Sequence, residues 1–109
     1  MNEFKELMTE IDRFTEERDW DQFHNPKDLA LALSIEASEL MELYLWKKPE
    51  EANIGKVKEE LADVFNYAFL IASKYQLDVP AIVREKMAEN ARKYPVEKAK
   101  GVATKYDEL

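Results

Sequence analysis

Cysteine is absent from this 109-residue chain, glycine occurs twice and histidine once. The first absence removes disulfide frameworks, thiol nucleophiles and cysteine-based zinc sites. Two glycines leave no material for a glycine-rich phosphate loop, so any phosphate chemistry needs another device. A single histidine cannot supply the repeated Glu-x-x-His of a di-iron helical bundle. No apolar run approaches the ~20 residues of a membrane span, and alternating strand patterns with hairpin turns are missing. A net charge of −7 leaves too little basic surface for sequence-independent nucleic-acid binding. The start, MNEFKELM, has neither the basic region nor the apolar core of a secretion signal. The expectation is one cytoplasmic domain over residues 1–109, with neither nucleic acid nor membrane as partner.

What is present is helical periodicity. Phe4, Leu7, Met8, Ile11 and Phe14 form one stripe, with Asn2 as N-cap, predicting a helix from Asn2 to about Arg18. The segment DWDQFHN breaks that period and gathers Trp20, Phe23 and His24 in a loop. Asn25 before Pro26 reads as an N-cap with proline in the first turn, opening a second helix to about Lys47. A third helix is expected from roughly Glu51 or Gly55 to Tyr75, and between Leu61 and Ala72 only Asp63, Asn66 and Tyr67 interrupt its apolar character. That predicts burial on nearly all sides. A fourth runs from the Asp78 cap to about Tyr94, where Pro95 stops it, and carries a polar stripe of Lys86, Asn90 and Lys93. The tail from Val96 to Leu109 reads as weakly helical or extended. The predicted class is all-α, four main helices in a bundle completed by homo-oligomerisation.

Two acidic pairs violate the apolar pattern: Glu36 with Glu39 in SIEASELMELYLW, and Glu60 with Asp63 in EELADVFNY. Residues three apart share a helix face, so each pair can direct both carboxylates at one place. Glu36 falls in the middle of the series Leu29, Leu33, Leu40 and Leu43. Like charges removed from water repel, and are retained where a cation or proton compensates them. The blander alternatives are a solvated acidic face, for which Glu50, Glu51 and Glu59 are better placed, and pairing with a buried base. An oxygen-only donor set suits hard ions, Mg²⁺, Mn²⁺ or Ca²⁺, and Mg²⁺ held by few carboxylates implies a phosphorylated ligand.

The order E-x-x-E, twenty intervening residues, then E-x-x-D resembles the motif of the MazG-like, all-α nucleotide pyrophosphohydrolases. ERDWDQFHNP, LALSIEASELMELYLWK, EELADVFNY, KMAENARKYP and the terminal KYDEL are similar to the dCTP pyrophosphatase branch, over about Phe14 to Leu109. The resemblance implies Mg²⁺-dependent hydrolysis of a deoxynucleoside triphosphate, dCTP or a modified dCTP preferred, to monophosphate and pyrophosphate. Mn²⁺ is the alternative ion. Glu36, Glu39, Glu60 and Asp63 become the metal ligands, with Glu36 the base that activates water, because desolvation raises a carboxylate's basicity. Trp20, His24 and Trp46 resemble base-pocket residues, Tyr67 a sugar contact, and Lys86, Asn90 and Lys93 phosphate, base or sugar contacts, with Arg92 nearby. Lys105 and Tyr106 resemble a tail that closes over a neighbouring subunit. Without the resemblance the tryptophans read as core or interface packing, His24 as a capping residue, Tyr67 as packing, and the polar stripe of the fourth helix as an exposed face. It also implies a homo-oligomer, a tetramer in preference to a dimer. The rivals are a non-catalytic helical regulatory module that binds nucleotide or a partner, and the related phosphoribosyl-ATP pyrophosphohydrolase.

Overall fold

The computed structural model describes residues 2–109. Four main helices carry the chain: α1 (Glu3–Glu17), α2 (Pro26–Glu42), α3 (Ile54–Lys74) and α4 (Val79–Lys93). A short α5 (Val96–Ala99) and single 3₁₀ turns at Asp21–Phe23, Pro49–Glu51 and Tyr106–Glu108 complete it, and no strand occurs among the described residues. The class is all-α. Two compact units divide the chain, one ending at Leu77 and the other comprising Asp78–Leu109.

Each helix start is set by a side chain that satisfies an orphan backbone N–H. Asn2, Asn25, Asn53 and Asp78 accept from the N–H groups of Lys5, Asp28, Lys56 and Ala81, at 2.9, 2.9, 3.2 and 3.0 Å. Two helix ends use the left-handed C-cap that glycine usually supplies, here without glycine. Asp19 (φ 54°) follows α1 and Gln76 (φ 55°) follows α3. In each case paired bonds close the cap: Trp20 N–H to the Thr15 carbonyl at 3.0 Å and Asp19 N–H to Glu16 at 3.0 Å, then Leu77 to Ala72 at 2.9 Å and Gln76 to Ser73 at 3.1 Å.

Helix α2 is shorter than expected. Beyond Glu42 the N–H groups of Leu43, Tyr44 and Leu45 bond three residues back, to Leu40, Met41 and Glu42. Trp46 then turns left-handed at φ 61°, so the predicted helix to Lys47 ends five residues early.

In the first unit α3 packs extensively against α2 and less extensively against α1. Leu29, Phe69, Leu70 and Ala72 are buried, with Phe4 edge-on to Phe69 at 6.2 Å. Asp12 joins α1 to α3: its carboxylate accepts from the Ser73 hydroxyl at 2.8 Å, and its carbonyl accepts from the buried Thr15 hydroxyl at 2.9 Å. The expectation that α3 is buried on nearly all sides is corrected. Only its C-terminal half is covered; Ile54, Leu61 and Phe65 are 69%, 40% and 52% exposed, and Leu31 and Ile35 on α2 are 54% and 58% exposed. A single chain this small has too little material to cover every side of a 21-residue helix.

Candidate functional site

The packing of α2 along α3 brings the two acidic pairs together. Glu36, Glu60 and Asp63 each offer a carboxylate oxygen, and these oxygens lie within 4.8 Å of one another. Glu39 is not part of that compact trio; it is half-buried, three residues after Glu36 on α2. The ion pairs among the described residues are Lys74–Asp21, Lys86–Glu89 and Lys93–Glu89, and none reaches these acids.

The cluster is frustrated in its charged form. Glu36 is pushed up to about 7, first by burial, then by the hydrogen bond and charge of Glu39 and the charges of Asp63 and Glu60. Glu60 is raised as well, chiefly by burial and by Glu39. One buried oxygen of each, Oε2 of Glu36 and Oε2 of Glu60, has no hydrogen-bond partner. Buried carboxylate oxygens normally find donors, so two orphans on members of one three-acid cluster mark a place for a cation. The donor set is all oxygen and suits a hard divalent ion.

The sign of the pH effect follows. A carboxyl whose folded value lies above its ordinary 4.5 holds its proton more tightly in the folded state. Its contribution is most favourable below 4.5 and is lost as pH rises towards about 7. Metal-free protein is therefore expected to lose thermal stability between those values, and millimolar Mg²⁺ to restore it at the alkaline end. Melting curves with and without chelator check this; a flat profile across that window contradicts it.

Beside the acids is a cavity of about 330 Å³, lined by Leu7, Glu10, Ile11, Phe14, Thr15 and Trp20 with His24, Asp63, Asn66, Tyr67 and Leu70. The C-terminal cap of α1 explains how Trp20 enters it: left-handed Asp19 turns the chain back, so that Trp20 bonds Thr15 and packs edge-on against Phe14 at 5.9 Å. The Arg18 guanidinium lies 3.7 Å over the Phe14 ring and steadies that wall. Lys74 pairs with Asp21 and fastens the loop between Trp20 and His24 to the end of α3. His24 is half-buried and its Nδ1 has no partner. Burial, followed by the charges of Glu36, Asp63 and Glu39, pushes the Tyr67 phenol up, so it remains a neutral hydroxyl.

Of the residues singled out in the sequence, Trp20, His24, Asp63 and Tyr67 thus share one cavity. Trp46 does not line it: on the turn after α2 it is 98% exposed. In the second unit, Lys86 and Lys93 flank Glu89, each 3.3 Å from one of its carboxylate oxygens, while Asn90 is exposed. These lysines, Lys93 first, hold the Glu89 carboxyl below its usual range. Lys93 also lies 4.9 Å from the centre of the Tyr106 ring, which packs edge-on to Tyr94 at 6.0 Å. Sequence reasoning did not assign Glu10 or Asn66 to a site. Asn66 had a signal, one turn past Asp63 in an apolar run. Glu10 had a fainter one, its place on the Leu7–Ile11–Phe14 stripe.

The MazG-like family model matches residues 31–109. The chain is 41% identical over 104 residues to dCTP pyrophosphatase 1 of Bos taurus, a match covering 88% of this chain and 62% of that one. It is 40% identical over 104 residues to the same-named protein of Homo sapiens, covering 88% and 61%. The chain therefore spans about three fifths of the length of these relatives. Among solved structures it resembles a pyrophosphatase from Archaeoglobus fulgidus, with TM-score 0.81 and 33% identity over 87% of this chain and 94% of that one. With acids from two helices converging beside an aromatic-walled cavity, and with matches of this extent, the chain belongs to the MazG-like family.

Proposed function

We propose that this protein hydrolyses a deoxynucleoside triphosphate to the monophosphate and pyrophosphate, with dCTP or a modified dCTP preferred. The carrying observation is the acidic cluster with its two orphaned buried oxygens, adjoining through Asp63 a cavity walled by Trp20 and Phe14. The names of the relatives, dCTP pyrophosphatase and pyrophosphatase, support the same reading.

In this reading Glu36, Glu39, Glu60 and Asp63 hold Mg²⁺, or Mn²⁺ in its place. The bound ion would neutralise phosphate charge and favour departure of pyrophosphate. Glu36, whose basicity is raised chiefly by burial, takes a proton from the attacking water. The new bond forms from water oxygen to the α-phosphorus, the bond from that phosphorus to the bridging oxygen breaks, and pyrophosphate carries the electron pair away. Trp20 stacks on the base, His24 offers its free Nδ1, and the neutral Tyr67 hydroxyl faces the sugar. Lys86, Asn90 and Lys93 serve as phosphate, base or sugar contacts; the pairs with Glu89 are exposed and weak enough to exchange for a phosphate. Trp46, exposed in the single chain, completes the base pocket once copies assemble. Both units act as one domain.

Assembly follows from the exposed apolar stripes of α2 and α3, Leu31 and Ile35 with Ile54, Leu61 and Phe65, which soluble monomers seldom leave open together. We propose a homo-oligomer, a tetramer before a dimer, acting in the cytoplasm as a nucleotide-pool enzyme. Light scattering should return a mass of four chains; a monomer contradicts it. The activity itself is tested by a panel of dCTP, 5-methyl-dCTP, dUTP, dTTP and ribonucleotides with Mg²⁺. Pyrophosphate release fastest from dCTP or its 5-methyl form is expected. No release from any triphosphate would leave a non-catalytic helical module.

A further inference from the structure

The cavity has one feature that metal and phosphate chemistry leave unused. Glu10 lies three residues after Leu7 on the inner stripe of α1 and lines the cavity, although Leu7, Ile11 and Phe14 around it are apolar. No ion pair or hydrogen bond among the described residues engages its carboxylate. On α3, Asn66 stands one turn past Asp63 and also lines the cavity, and its side-chain amide likewise makes no hydrogen bond among the described residues. Thr15 differs, since its hydroxyl proton is already given to the Asp12 carbonyl.

We infer that Glu10 and Asn66 read the edge of the base, with Glu10 selecting a ring that carries an exocyclic amino group. This rests on the triphosphate-hydrolase reading above. The aromatic wall cannot discriminate, because Trp20 and Phe14 would stack on any base through its π-face. An ionised carboxylate can only accept hydrogen bonds. The 4-amino group of cytosine presents two donors to it, whereas uracil and thymine present a carbonyl oxygen at that position, acceptor against acceptor. Asn66 carries both a donor and an acceptor, so it can serve the ring carbonyl of either pyrimidine and adds affinity more than choice. Among single-ring bases the pair therefore selects cytosine. A 5-methyl group lies away from the paired edge and is tolerated.

The test compares kcat/KM for dCTP and dUTP in the wild type, Glu10→Ala and Glu10→Gln, with dCMP and dUMP affinities of metal-free protein measured by calorimetry. Glu10 is exposed on α1, so both variants should melt close to the wild type. Glu10→Ala is expected to lower the dCTP-to-dUTP ratio about tenfold or more, mainly through KM, and to narrow the dCMP–dUMP difference equally. Glu10→Gln, whose amide can turn either its oxygen to a 4-amino group or its NH₂ to a 4-carbonyl, should also lower the ratio, chiefly by improving dUTP, while dCTP keeps most of its efficiency. An unchanged ratio in a Glu10→Ala enzyme that still hydrolyses dCTP overturns the inference. If the wild type hydrolyses neither nucleotide, the failure belongs to the underlying reading; if calorimetry still shows Glu10-dependent preference for dCMP, the base-reading role stands by itself.

Discussion

Glu36→Gln is expected to slow turnover by about 10²–10⁴-fold, the range typical of losing a general base. The same substitution should make the metal-free protein more stable at alkaline pH. Burial and three neighbouring acids push the Glu36 carboxyl up to about 7, so above that value the folded state holds an unfavourable charge that the neutral amide lacks. Near pH 5 both side chains are neutral in the folded protein and the melting temperatures should converge. Opposite signs, slower chemistry with greater stability, distinguish a strained catalytic carboxylate from a structural one. Near-normal turnover with metal binding intact would remove Glu36 from the role of base.

Asp63→Asn should reduce turnover by about 10²–10³-fold, by a different route. Among the described residues Asp63 alone belongs to both the three-acid cluster and the cavity lining, so a cation held by the cluster and a nucleotide in the cavity would meet there. Asparagine keeps the shape and removes one charge. Mg²⁺ or Mn²⁺ affinity, measured by calorimetry, should fall at least tenfold, whereas dCMP binding without metal should change little. Preserved metal affinity in this variant would exclude Asp63 from the ion's ligands.

Three of the four helix starts were legible because each is written in one residue, Asn2, Asn25 or Asp78, whose side chain caps locally, whereas the Asn53 cap of α3 lay unread in a segment rich in helix formers, which left its start between Glu51 and Gly55. The convergence of Glu36, Glu60 and Asp63 was also legible, since a spacing of three fixes a helix face whatever the tertiary arrangement. The end of α2 was not. Nothing in LYLWK disfavours helix, and the left-handed turn at Trp46 is the kind of tertiary choice that overrides propensity. Nor was the openness of α3 legible: an apolar residue signals that it will be covered, but not whether its own chain or another copy covers it. Glu10 was hidden for a further reason. Charge on a mostly solvated helix carries no information until the opposite wall is known, and Asn66, which helps form that wall, is 56 residues away.

In the proposed reaction four acids gather a hard cation so that water attacks the α-phosphorus. It is tested most directly by incubating the protein with dCTP in ¹⁸O-water, with Mg²⁺ or with chelator, and separating the products by anion exchange and mass. Equimolar dCMP and pyrophosphate, the label in dCMP, and no reaction under chelation are expected. Production of dCDP and inorganic phosphate, label in the pyrophosphate, or an equal rate without divalent metal would contradict it.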